Sequence, residues 1–471
     1  MRFHSVVFFL FFGVVLLLRH VLPWRVGRLV LLAASYTFYG VANPWYCLLL
    51  FSSTAVDFVV AQRIHASDDA RRRKRLLLVS LVVNLGLLGV FKYADFGIAN
   101  LNVLFGWLGA EPLQSLGWLL PVGISFYTFQ TLSYTIDVYR RHTEPTRDFA
   151  GFALYVSYFP QLVAGPIERA HRLLPQLLTK ATPSTADVEL GFQRVLWGLT
   201  KKLVLADRLG LMVAPVYASA ADQPAPVLIV ATLCFSFQLY LDFSAYTDIA
   251  IGLARMMGVT LCENFRWPFL ARNPSDFWNR WHMTLTQWFR DYVYLSLGGT
   301  RRRAPVLTLL HLTLVMTLVG LWHGAAWNFV AFGVLSGLEL AGYTVLRTAP
   351  WRRSRGPLFG NRWWSTPLAV LCAFFTINMT MVFFASDSLG MAFDVIGGMF
   401  THAWQWQSVY DVHLKLVLLL AAVHLWRGVY YETRAERPLP APVRGAFWVA
   451  MIAAITWGTP QAAQPFIYFQ F

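Results

Sequence analysis

The chain has 471 residues, 57% of them apolar or aromatic and 13% charged, where a soluble domain carries about 25% charged residues. That balance excludes an ordinary water-soluble enzyme, and 37 Phe, 19 Trp and 19 Tyr exclude a disordered chain. The net charge of +15 comes from short basic clusters between apolar runs, as the positive-inside rule expects of a membrane protein, and no separate basic domain exists to hold nucleic acid.

Helix-length apolar runs are read at 4–18, 29–42, 45–62, 76–91, 118–138, 203–220, 226–254, 305–322, 327–346, 364–385, 412–426 and 445–459. They predict an all-α polytopic membrane protein, one transmembrane domain over 1–471, with about 11–13 crossings. Arg2 precedes the first run, but Arg19, His20, Pro23 and Trp24 follow it with no small-residue cleavage site, so a retained helix is expected rather than a signal peptide. Basic clusters fall at Arg19/Arg25/Arg28, Arg63 with Arg71 to Arg75, Arg140/Arg141/Arg147, Lys201/Lys202, Arg301 to Arg303, Arg347 to Arg355 and Arg427/Arg434/Arg437. If these face the cytoplasm, an even number of crossings separates most neighbours, which puts both termini on the opposite side.

Two stretches break the pattern. Residues 149–200 are interrupted by Pro160, Gly165, Pro166, Glu168, Arg169 and Pro175; residues 263–300 mix aromatic rings with Asn264, Arg266, Arg272, Asp276, Asn279, Arg280, His282, Arg290 and Asp291. Unsatisfied polar groups facing lipid cost several kcal/mol each, so both stretches are expected to be re-entrant, interfacial or packed inside protein. Cys47, Cys234, Cys262 and Cys372 are far apart and form no CxxC pair, so they are read as packing residues.

An ionisable residue inside a membrane segment is a functional candidate. His323 lies in Gly320-Leu-Trp-His-Gly-Ala-Ala-Trp-Asn328, at the join of two apolar runs and flanked by small residues. An imidazole there can serve as a general base toward a hydroxyl, or be a satisfied core histidine. His282 sits among Trp278, Asn279, Arg280, Trp281, Trp288 and Tyr292. A helix through it would put Trp278, His282 and Phe289 on one face, either a cavity wall or an amphipathic interfacial helix. No carboxylate cluster accompanies the histidines, so no metal is inferred. No GxSxG elbow or Walker loop is present, and a solute transporter, though compatible with composition, would be favoured by an internal repeat that is not seen.

Five strings, Pro121 to Gln130, Tyr158 to Ile167, Gln238 to Asp248, Asn264 to Tyr292 and Gly320 to Asn328, together resemble the membrane-bound O-acyltransferase family, in its bacterial branch of alginate O-acetylation proteins and their peptidoglycan and D-alanylation relatives. The resemblance covers nearly the whole chain. It implies a ring of helices around a thinned centre, where a cytoplasmic tunnel for the thioester donor meets an outward funnel. His323 matches the family's essential histidine and His282 the second histidine of its central region. Asn279, Arg280, Trp281, Trp322, Asn328 and Asp242 are the further candidates for the donor tunnel or central core.

What the resemblance implies is transfer of acetyl from cytoplasmic acetyl-CoA, a substrate rather than a bound cofactor, across the inner membrane to an exopolysaccharide or another cell-surface glycan. A periplasmic SGNH-type acetyltransferase partner would complete the reaction. The alternative is direct acylation of peptidoglycan, a lipid or a lipid-linked glycan. The closing residues Pro465 to Phe471 resemble the terminal motif of a small companion peptide in D-alanylation systems, which makes Tyr468 an acyl-relay candidate. An interfacial aromatic anchor is the other reading of the same residues.

Overall fold

The computed structural model describes residues 3, 5–41, 43–163, 165–180, 182–299, 304–348, 364–433, 440–460 and 466–467, with the backbone alone over 429–433. Arg301 to Arg303 and Tyr468 therefore lie outside the described residues. Within them the chain is helical, and eight helices are long and apolar enough to cross a membrane: Tyr46–His65, Ala70–Leu108, Ala225–Met256, Pro305–His323, Trp327–Arg347, Ser365–Ala385, Ser408–Gly428 and Ala441–Gly458. Two shorter apolar helices, Val6–Val21 and Leu389–Thr401, accompany them. At 1.5 Å rise per residue a helix of about 20 residues spans the roughly 30 Å hydrocarbon layer. The protein is an all-α, multi-pass membrane protein.

The chain divides into two compact units, Met1–Val195 with Tyr246–Cys262, and Leu196–Ala245 with Glu263–Phe471. In the first, side-chain caps set several helix starts: Ser5 accepts from the Phe8 amide at 3.2 Å, Asp69 from Arg71 at 2.8 Å and Asp148 from Gly151 at 2.9 Å. The helix Ile124–Tyr139 buries nearly all its side chains, including Thr128, Gln130, Thr131, Ser133 and Thr135, so it is a protein-facing element. It begins six residues later than the sequence run at 118, because Gly123 turns the chain with φ +81° where a Cβ would meet the Leu162 carbonyl at 2.8 Å. Asp57 is fully buried against Ser80, Asn84 and Thr135, whose donors satisfy both carboxylate oxygens.

The second unit corrects two expectations. Lys201 and Lys202 do not form a solvated basic loop. They lie in a π-helical turn, Thr200–Ala206, that joins Thr185–Leu199 to Asp207–Ala218 without a break, and both are buried. Lys202 is 1% exposed and ion-pairs with Asp207 at 2.8 Å and Asp242 at 2.9 Å; Lys201 donates to Ser244 at 2.8 Å. A charge pattern along the chain cannot show partners forty residues away. Nor is there a continuous helix through His282: Pro274–Trp278 ends, and Met283–Phe289 starts after His282 turns left-handed at φ +40°. The proposed shared face of Trp278, His282 and Phe289 does not exist.

Candidate active site

His323 is the last residue of Pro305–His323, directly before the turn into the helix that begins at Trp327. These two helices pack with backbones nearly touching, since a Cβ on Gly320 would lie 2.2 Å from the Phe329 carbonyl and one on Gly333 2.5 Å from that of Met316. Small residues permit such approach in membrane helices, where van der Waals contact drives association. The packing leaves the His323 ring, 5% exposed, among Trp322 at 4.9 Å, Phe384 at 5.1 Å and Phe332 at 6.2 Å between centroids, all edge to face.

Asn328 supports this wall from behind. Its amide donates to the Ser386 carbonyl at 2.7 Å and the Phe383 carbonyl at 3.3 Å, tying the start of one helix to the end of Ser365–Ala385, the turn that carries Phe384. It is therefore a brace for the aromatic wall. Trp322 stands beside both imidazoles, 5.8 Å from His282 and 4.9 Å from His323, and the two histidine rings are 6.5 Å apart.

His282 is aimed by hydrogen bonds. The Asn264 carbonyl accepts from the Met283 amide at 2.9 Å, and its side-chain oxygen takes the Thr284 amide at 3.2 Å and hydroxyl at 2.9 Å. Because a backbone N–H can only donate, that side-chain atom is oxygen. The same oxygen lies 3.1 Å from Nδ1 of His282, so Nδ1 carries the proton and Nε2 the lone pair. His282 is 1% exposed, lies outside the eight apolar spans, and burial pushes its imidazole well below the ordinary pKa. It stays neutral and can accept a proton only at Nε2. A left-handed φ in a non-glycine residue costs of the order of 1–3 kcal/mol, and such strain is concentrated at functional sites.

The other sequence candidates separate. Trp281 is buried, stacked on Phe277 at 5.6 Å and edge-on to Phe265 at 5.2 Å. Arg280 pairs with Asp276 at 2.7 Å, and its carbonyl accepts from the Arg266 amide at 2.9 Å, so it holds the fold of the segment. Asn279 is exposed and its amide serves the carbonyl of Ser275 at 2.8 Å. Asp242 belongs to the buried Lys202 cluster and accepts from the Ile467 amide at 2.8 Å. Sequence reasoning passed over Asn264, Phe243, which meets His282 edge to face at 4.7 Å, and Phe384. Asn264 alone had a signal, being an amide near the start of the aromatic stretch that contains the second histidine. The two phenylalanines look like any other apolar residue of their spans.

Two imidazoles lie 6.5 Å apart among aromatic rings in a protein built of apolar, membrane-length helices. Residues 142–386 match the model of the MBOAT, membrane-bound O-acyltransferase, family. The chain belongs to that family and is an O-acyltransferase. It is similar to a probable alginate O-acetylase AlgI of Azotobacter vinelandii, 34% identical with both chains covered completely. It is also similar to a peptidoglycan O-acetyltransferase of Helicobacter pylori, 33% identical over 79% of this chain and 73% of that one, and to a teichoic acid D-alanyltransferase of Streptococcus thermophilus, 28% identical over 56% and 68%. The solute-transporter alternative falls with the family match.

Proposed function

We propose that this enzyme takes acetyl from acetyl-CoA at the cytoplasmic face of the inner membrane and passes it outward for O-acetylation of an exopolysaccharide such as alginate, through a periplasmic SGNH-type acetyltransferase, with both chain termini periplasmic. The observation that carries the reading is His323 at a helix end beside His282, inside a chain similar over its full length to an alginate O-acetylase. Acetyl-CoA is too large and charged to cross a bilayer, whereas an acetyl group is small, so the carrier stays behind.

In this reading Tyr468 is the first acceptor. Its phenol oxygen attacks the thioester carbonyl carbon, the C–S bond breaks, and the CoA thiolate leaves. His323 takes the phenolic proton and returns it to the thiolate. A phenol of pKa about 10 needs such a base. The aryl ester is more activated than an alkyl ester, so transfer to a serine hydroxyl of the partner runs downhill and restores Tyr468. Phe466 and Ile467 are buried, the Ile467 amide donates to Asp242, and Phe466 packs 6.2 Å from Phe243, the ring that meets His282.

The test is acetyl transfer from radiolabelled acetyl-CoA in membranes that also contain the periplasmic partner. Label on the partner and then on glycan is expected. Label reaching glycan or lipid with none on the partner at any time would establish direct acylation instead. Tyr468→Phe keeps the ring and its packing, so an aromatic anchor tolerates it and a carrier does not. Normal glycan acetylation in that variant removes Tyr468 from the pathway.

A further inference from the structure

Lys202 lies between Asp207 and Asp242, and these three side chains are only 1–2% exposed. With Lys201 on Ser244, two cations and two anions are buried in one place. Buried ion pairs contribute little to stability relative to apolar packing of the same volume, because desolvation offsets their attraction. Stability alone therefore does not account for them.

The two oxygens of Asp242 have different tasks. Oδ1 receives the Lys202 ammonium at 2.9 Å, while Oδ2 receives the backbone N–H of Ile467 at 2.8 Å. The ammonium fixes the carboxylate's orientation, which makes Oδ2 a preset, charged acceptor for an amide, a stronger hydrogen bond than a neutral one. Next on the same helix, Phe243 has its ring 6.2 Å from that of Phe466 and 4.7 Å from that of His282. One helical step thus holds Ile467 by its backbone and Phe466 by its ring, one ring away from the second histidine. Phe466 and Ile467 are 1% and 5% exposed.

We propose that the Lys202–Asp207–Asp242 cluster is a docking site for Phe466 and Ile467, and that Asp242 is a positioning residue for the acyl acceptor that follows them in the chain, acting by its grip on the amide of Ile467. The proposal rests on the reading of Tyr468 as the acyl acceptor. It adds how the residues before it are held. Gripping a main-chain N–H makes the docking insensitive to the side chain at 467, provided the residue is apolar and has an amide hydrogen.

Two measurements on the full-length protein test it. A cysteine placed by Ile467→Cys keeps the amide and is expected to resist N-ethylmaleimide, read by mass spectrometry on the closing peptide. Adding Asp242→Asn, which removes the charge that orients the grip, is expected to raise the labelling rate about tenfold or more, the value of one charge-assisted hydrogen bond. Because Asp242→Asn disturbs a buried cluster, Ile467→Pro is the second variant: it deletes the N–H and leaves every charge in place. It should lower kcat for glycan acetylation about tenfold or more, with KM for acetyl-CoA unchanged, while Ile467→Leu restores kcat. Equal labelling with and without Asp242→Asn overturns the proposal, and so does a normal kcat in Ile467→Pro. A normal rate in Tyr468→Phe overturns the relay instead, and leaves the labelling contrast standing as a report on the docking site.

Discussion

The two histidines of the site are 6.5 Å apart and are held in opposite ways. His323 ends a regular nineteen-residue helix, Pro305–His323, and is placed by packing: glycines let its helix press against the next, and aromatic rings close around the imidazole. His282 sits where helical structure fails, on a left-handed backbone, and is placed by the hydrogen bonds of one amide side chain, Asn264. At His323 the packing sets where the ring lies. At His282 the hydrogen bond to Asn264 also fixes the tautomer and leaves the lone pair at Nε2.

His323→Ala should have the largest effect. Loss of a general base costs about 10²–10⁴-fold in rate, and the aromatic surroundings can close partly over the missing ring, so the protein should still insert at normal level. The measurement is glycan acetylation per unit of protein in isolated membranes. If the variant keeps more than about a tenth of the wild-type rate, far above what loss of a base allows, then His323 is a core residue and not the base.

His282→Ala is expected to cost less, about 10–100-fold, and Asn264→Ala should cost a similar amount, because removing the oxygen frees the tautomer and leaves the Thr284 donors without their acceptor. If Asn264 acts through the imidazole, the double variant is no worse than either single one, since residues acting as a unit are not additive. Losses that multiply would mean that Asn264 has its own task, such as holding the turn of 264–284. Loss in His282→Ala equal to that in His323→Ala would reverse the ranking of the two histidines.

Gly320→Ala tests the packing side of the contrast. The new methyl meets a backbone carbonyl, which cannot move aside as a flexible side chain would, so the two helices must part. Overpacking of this kind costs about 1–3 kcal/mol. A lower thermal midpoint in detergent is expected, together with a several-fold drop in activity as His323 shifts against its wall. An unchanged midpoint would show that the hairpin is looser than the interhelical approach implies.

The same contrast explains what could be read in the sequence. The hairpin was legible: apolar runs at 305–322 and 327–346 became Pro305–His323 and Trp327–Thr348, with His323 at the join, because helix length and hydrophobic continuity are local properties. The break at His282 was not. Its cause is a hydrogen bond to a residue eighteen positions earlier, and a helical face drawn through 278–289 had no way to register it. Lys202 was misread for a related reason, its two partners being one turn and forty residues away. Aromatic neighbours such as Phe384 are chosen by three-dimensional packing alone.

Asn279→Ala should have the smallest effect, and it separates the two asparagines of the central segment. By sequence Asn279 is the better candidate, standing in the string Trp278-Asn-Arg-Trp-His282, three positions from the histidine, whereas Asn264 is eighteen away. The structure reverses that order. Asn279 follows the short helix Pro274–Trp278, is exposed, and returns its amide to Ser275, so alanine removes one solvent-competed hydrogen bond worth about 0.5–1.5 kcal/mol at most. Arg280 and Trp281, which hold the segment through Asp276 and Phe277, are untouched. Glycan acetylation within about twofold of wild type is expected, beside the 10–100-fold loss in Asn264→Ala. A loss in Asn279→Ala as large as that in Asn264→Ala would mean that the exposed amide meets the donor or the partner directly, and that closeness in sequence was the better guide here than the hydrogen bond.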